Sequence, residues 1–134
     1  MKTKNIRQSV IIKATPREVY EALMDSIKHS EFTRSKASIS RTVGGAISAY
    51  DGYITGKTLQ LIKKKMIVQS WRSSDFKSND LDSILILCFE KKGNDAKVNM
   101  MHANVPDHQY LGVKGGWNYF YWKPWRKYIN GSRQ

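Results

Sequence analysis

Cysteine is almost absent from the 134 residues: Cys88 stands alone, so no disulfide can close within the chain. Its surroundings, Ile84-Leu85-Ile86-Leu87-Cys88-Phe89, predict a buried, unreactive thiol, because an apolar site raises a thiol pKa. That run is also the longest apolar stretch, far short of the ~20 residues needed to cross a bilayer. The first residues mix charge and polarity (Lys2, Lys4, Arg7) and reach only Val10-Ile11-Ile12, which fits no signal peptide. A cytoplasmic protein without membrane insertion is the expectation. Acidic residues are scarce, 11 against 23 Lys plus Arg, for a formal charge of +12. A surplus of this size favours an anionic partner. No arginine-rich arm or nucleic-acid-binding motif accompanies it, so nucleic acid is not expected. Phosphate-binding and dinucleotide glycine fingerprints are missing, as is a nucleophile elbow. Cys88, His102 and His108 follow no metal-ligand spacing. Neither metal nor cofactor is expected.

What remains is an ordinary globular composition, 40% hydrophobic and 25% charged. A chain of this length can bury roughly two thirds of its unfolded surface, enough for one core, and residues 1–134 read as a single domain. Residues 3–13 predict a strand. Thr15-Pro16-Arg17-Glu18 is a helix start: Thr15 caps, Pro16 suits the first helical position and Glu18 completes a capping box. Val19, Tyr20, Leu23 and Met24 give that helix an apolar face ending near Asp25, and 26–32 predict a second short helix. Strands follow at 36–41, 46–50, 53–62, 66–72, 83–91 and 96–105. Gly44-Gly45, Asp51-Gly52 and Lys91-Lys92-Gly93-Asn94-Asp95 mark turns, and 73–82 a longer loop. Short strands with tight turns predict an antiparallel meander.

A loop containing Gly112, Gly115 and Gly116 is expected after Val105-Pro106-Asp107. Then comes a helix over 117–129, with Trp117, Tyr121, Pro124 and Tyr128 on one stripe and Trp122, Trp125 and Ile129 on the next. Pro124 should bend it near Phe120, and Asn130-Gly131 should stop it. The fold class is therefore α+β. A curved antiparallel sheet of about six to seven strands wraps a long C-terminal helix, with two short helices after the first strand. Where sheet and helix diverge, a cavity is expected.

The candidate site residues follow from this geometry. Trp117, Tyr121 and Trp125 offer aromatic walls. Period-two alternation puts Met100, His102 and Asn104 on one strand face, projecting inward. With an ordinary pKa near 6.5, His102 is also the candidate general base if the domain is an enzyme. His29 and His108 read as solvated. Lys63-Lys64-Lys65 reads as a solvated hairpin turn and, with Lys57, as a face for an acidic partner.

Several stretches resemble a known family. They are Ala14-Thr15-Pro16-Arg17-Glu18-Val19-Tyr20-Glu21-Ala22-Leu23, Asp51-Gly52-Tyr53-Ile54-Thr55-Gly56-Lys57 and Ile67-Val68-Gln69-Ser70-Trp71-Arg72. Asn104-Val105-Pro106-Asp107, Gly116-Trp117 and Tyr121-Trp122-Lys123-Pro124-Trp125 complete them. In order and spacing they resemble the C-terminal domain of the activator of the heat-shock-protein-90 ATPase and its single-domain bacterial relatives. That family lies within the START and birch-pollen-allergen-like (SRPBCC) superfamily. The resemblance implies a helix-grip fold with a cavity for an apolar or amphipathic ligand, and docking on a heat-shock-protein-90 family chaperone. It adds Trp71 to the candidate ligand-binding residues. The leading expectation is a non-enzymatic module holding a small apolar or aromatic molecule. A co-chaperone-like module is the alternative, and an enzyme using His102 the second alternative.

Overall fold

The computed structural model describes residues 2–132. β1 (Thr3–Ile12) leads into Thr15, whose hydroxyl accepts from the Glu18 N–H at 3.2 Å while the Glu18 carboxylate accepts from the Thr15 N–H at 3.1 Å. This reciprocal cap, with Pro16 next to it, starts α1 (Pro16–Met24). Asp25 ends α1 in an extended conformation, and its side chain caps α2 (Ser26–Thr33) by accepting from the Lys28 N–H. Six strands follow: β2 (Ser38–Ile39), β3 (Ala46–Ala49), β4 (Ile54–Ile62), β5 (Met66–Ser73), β6 (Ser83–Lys92) and β7 (Asp95–Pro106). The 36–41 strand is thus shortened to two residues. On its open edge the Ser26 and Ser30 hydroxyls of α2 accept the Ile39 and Ala37 N–H groups, so α2 rather than another strand covers this side.

The seven strands form one antiparallel sheet in the order β1-β7-β6-β5-β4-β3-β2, a meander with the first strand closing against the last. Alternation holds through β6: Leu85, Leu87 and Phe89 face the core. Cys88 lies on the opposite face and is half-buried, which corrects the expectation of a buried thiol. Gly56 permits the close β4–β5 approach, since a Cβ there would meet the Ser70 carbonyl oxygen at 1.8 Å.

The chain from 107 onward departs most from expectation. Instead of a loop, residues 107–116 form a 3-10 turn (Asp107–Gln109) and α3 (Tyr110–Gly116). The helix continues through a wide π segment (Trp117–Trp122) into α4 (Lys123–Ser132), past the expected stop at Asn130-Gly131. Pro124 supplies the local cause of the widening: it has no N–H for the preceding turn. The wider turn also brings the adjacent residues Tyr121 and Trp122 inward together. Trp117, Trp122, Trp125 and Phe32 then stack in sequence, with ring centroids 5.3, 5.8 and 5.5 Å apart. This ladder lies in the core between sheet and helices. Among the described residues, no helix is long and apolar enough to cross a membrane.

Candidate functional site

Sheet and C-terminal helix diverge where β4 begins and β5 ends. A cavity of about 480 Å³ opens there, within the range of small-molecule sites. Ile54, Trp71 and Ser73 form its sheet wall. Val113, Trp117, Phe120 and Tyr121 face them from the helix, with Gly112 and Gly116 leaving room between. Tyr50, Tyr53 and Asp75 form the rim, where the Tyr53 hydroxyl donates to the Asp75 carboxylate. A smaller gap of about 20 Å³ lies deeper, behind Ile54, Trp71, Trp117 and Tyr121, and Gln69 and His29 reach it.

The β3–β4 turn that holds the rim carries unusual backbone. Tyr50 and Asp51 adopt left-handed φ values of 50° and 54°, ahead of Gly52 at 87°. Such a conformation is uncommon for a bulky residue and persists only where contacts enforce it. Here the Tyr50 hydroxyl donates to the Phe120 carbonyl, the acceptor left without a helical donor by Pro124. The Tyr50 ring also meets Phe120 and Tyr121 edge-on, at 5.4 and 5.9 Å. Burial pushes the Tyr50 phenol up to about 12.

Of the residues singled out from sequence, Trp71, Trp117 and Tyr121 line this cavity; Met100, His102, Asn104 and Trp125 do not. His102 does project inward, but it is fully buried and both ring nitrogens are engaged. The Trp117 indole can only donate, so it donates to Nδ1 (3.0 Å). The proton therefore sits on Nε2, which donates to the Ser83 hydroxyl (2.8 Å), and Ser83 donates to the Trp71 carbonyl (2.6 Å). Burial lowers the His102 pKa to about 3. Its one basic lone pair is committed to Trp117 and faces no cavity, so the ring braces the wall from behind. Met100 and Trp125 are buried in the core, and the Trp125 indole N–H is without a partner.

Asn104 escapes the alternation. It adopts φ 62° at a bulge where β1 and β7 shift register, so Val105 takes the inward place. Its N–H bonds to Asn5 and its side-chain amide to the Asp82 carbonyl. His29 also corrects the sequence reading, whereas His108 stays exposed, as that reading has it. His29 is buried: Nδ1 donates to the Leu23 carbonyl (2.9 Å), leaving Nε2 to accept the Tyr121 hydroxyl (3.0 Å). Burial lowers its pKa to about 4 and pushes the Tyr121 phenol well above the usual range. His108 pairs with the buried Asp80 carboxylate at 2.7 Å. That contact leads the causes holding Asp80 below the usual carboxylate range. Sequence reasoning missed Tyr50, Tyr53, Val113 and Phe120; only the left-handed turn signal Asp51-Gly52 pointed near them. No group of three or more His, Cys, Asp or Glu side chains suited to a metal occurs among the described residues.

The lysines singled out lie elsewhere. Lys63, Lys64 and Lys65 form the exposed β4–β5 turn, with Lys64 at φ 67°, and Lys57 is exposed on β4. At ~3.3 Å per residue along the nine residues of β4, that turn is roughly 25–30 Å from the cavity end. The β6–β7 hairpin tip, with Lys91 and Lys92, lies at the same end of the sheet, because Met66 pairs with Cys88 and the Phe89 N–H bonds to the Lys65 carbonyl. β1 ends there too, pairing Ile12 with Ala96 and placing Lys13 close by.

Comparison with known proteins agrees with this architecture. Residues 13–129 match the family model described as Activator of Hsp90 ATPase homolog 1-like protein. A Dictyostelium discoideum protein named activator of 90 kDa heat shock protein ATPase homolog is 25% identical over 116 residues. That match takes in 86% of this chain and 30% of the relative, so the chain spans about a third of the curated relatives' length. The crystal structure of an HSP90 activator from Plasmodium falciparum superposes with a TM-score of 0.81 at 23% identity, over 89% of this chain and 91% of that one. The solution structure of the Aha1 dimer from Colwellia psychrerythraea gives 0.73 at 21% identity, over 87% and 90%. With a single family model covering most of its length and the same curved sheet and terminal helix, the chain belongs to the Activator of Hsp90 ATPase homolog 1-like family.

Proposed function

We propose that the chain is a non-catalytic binding module that holds a small apolar or aromatic molecule between its C-terminal helix and the open end of the β4–β5 hairpin. One observation carries this reading: an aromatic cavity of about 480 Å³ persists beside a core otherwise packed with stacked rings. Apolar burial supplies the affinity, at roughly 25 cal/mol per Å² before ordering costs. Trp71, Trp117 and Tyr121 contact the ligand together with Tyr50, Tyr53, Val113 and Phe120, while His102 holds the Trp117 and Trp71 walls in place. A panel of uncharged aromatic probes, titrated while tryptophan emission is followed, tests it. Micromolar binding that weakens at least tenfold in Val113→Trp, which fills the cavity from the helix side, is the expected result. No binding, or binding indifferent to that substitution, overturns it.

A second reading is docking on a heat-shock-protein-90 family chaperone. It is supported by the family relationship and by the convergence of Lys13, Lys63, Lys64, Lys65, Lys91 and Lys92 at one end of the sheet, against Glu90 and Asp95. An acidic face on the partner would pair with this end, and Lys57 extends the surface along β4. Complex formation in 25 mM salt, lost in 300 mM salt and in the Lys63→Glu, Lys64→Glu, Lys65→Glu triple variant, is expected. Absence of any complex at low salt removes this reading.

A further inference from the structure

The cavity is electrostatically opposite to the molecule around it. The chain has 23 Lys and Arg residues and a charge of +12, yet no Lys or Arg side chain among the described residues lines the cavity. Among the described residues, the only charged one lining it is Asp75, at the rim. Its carboxylate is held in position: one oxygen accepts the Tyr53 hydroxyl, and the residue's N–H bonds to the Ser73 hydroxyl at 3.2 Å. The second oxygen has no hydrogen-bond partner among the described residues. Behind it lie six aromatic rings: Tyr50, Tyr53, Trp71, Trp117, Phe120 and Tyr121. Aromatic faces attract cations and repel anions through the ring quadrupole. A single fixed carboxylate at the mouth adds attraction of the same sign.

We propose that the cavity selects an organic cation, with a quaternary or protonated amine at the rim against Asp75 and an apolar body among the aromatic rings. This deepens the binding-module reading and rests on it. It also runs against the default: in the field of a +12 chain, an anion would be the favoured guest.

Three probes of matched size separate the possibilities: benzyltrimethylammonium, its uncharged carbon isostere neopentylbenzene, and phenylacetate. Each is titrated at 150 mM salt with tryptophan emission as the readout, since Trp71 and Trp117 line the site. The cation should bind at least about fivefold more tightly than the isostere, and the anion most weakly. In Asp75→Asn, which keeps an acceptor for Tyr53 at an exposed position, the cation's advantage should shrink to within twofold while the isostere is unaffected. Should the isostere bind as well as the cation, the anion bind best, or the variant keep the preference, cation selection is overturned and the cavity's binding role stands. If none of the three binds, the binding-module reading falls and takes this proposal with it.

Discussion

Single residues here carry more than their type suggests, and the two buried histidines show it best. The rings of His29 and His102 are held neutral by burial, with pKa values lowered to about 4 and about 3. In the unfolded chain both titrate near 6.5. Below that value the unfolded state binds protons that the folded state refuses, so stability falls as the pH drops from about 6.5 towards 4. The slope approaches about 1.4 kcal/mol per pH unit for each ring. Urea denaturation at pH 7.5, 6 and 5 should show this decline, and His29→Gln should remove about half of it. A flat profile would mean the rings do not stay neutral. His102→Ala should cost about 3 kcal/mol or more, because it opens a cavity and strands the Trp117 N–H. Alternation along β7 placed His102 inward, but nothing in the sequence pairs it with Trp117, 15 residues later. The same alternation failed at Asn104, where one left-handed residue at a bulge reversed the faces. His29 was illegible because its short helix, Ser26–Thr33, is mostly polar, and its burial comes from tertiary contacts with Leu23 of α1 and Tyr121 of the π segment.

Elements explain the remaining differences. The capping box, both short helices and most strands were legible, since each rests on local chemistry: a Thr-x-x-Glu cap, a period of two, a glycine at a turn. The C-terminal helix was legible in its aromatic content but not its pitch. Pro124 indicates that an acceptor is lost near Phe120; that a tyrosine 70 positions earlier supplies the replacement donor is a tertiary fact. Tyr50→Phe keeps the ring and leaves that carbonyl unpaired. It should cost about 1 kcal/mol in urea denaturation without changing the fold, as judged by near-ultraviolet circular dichroism. Gly56→Ala is expected to be far harsher. Its methyl would collide with backbone rather than a movable side chain, so β4 and β5 must separate and a loss beyond about 3 kcal/mol should follow. Ordinary expression and thermal stability of that variant would show that the two strands can part at little cost.

At the scale of the whole molecule, the question is how a guest would reach a cavity that the C-terminal helix covers. Glycine content at 112, 115 and 116 suggested a loop; the structure instead has a helix there, held by its continuation into the π segment. That helix remains weak. α3 contributes no fully buried residue, Leu111 points outward at 79% exposure, and three glycines lower its intrinsic propensity. Segments with few buried contacts are the first to open. Gly112 and Gly115 have open space around the position a Cβ would take, so alanine fits both. The Gly112→Ala, Gly115→Ala pair should therefore stabilise the domain by about 1–2 kcal/mol, through loss of unfolded-state freedom. If entry needs α3 to open, stopped-flow fluorescence with an aromatic probe should show association and dissociation both slowed by roughly fivefold or more in the pair; in Gly115→Ala alone, which lies outside the cavity lining, both rates should fall by a smaller factor with affinity nearly unchanged. Stabilisation with unaltered rates would place the route at the rim between Tyr53 and Asp75 and leave α3 as a fixed wall.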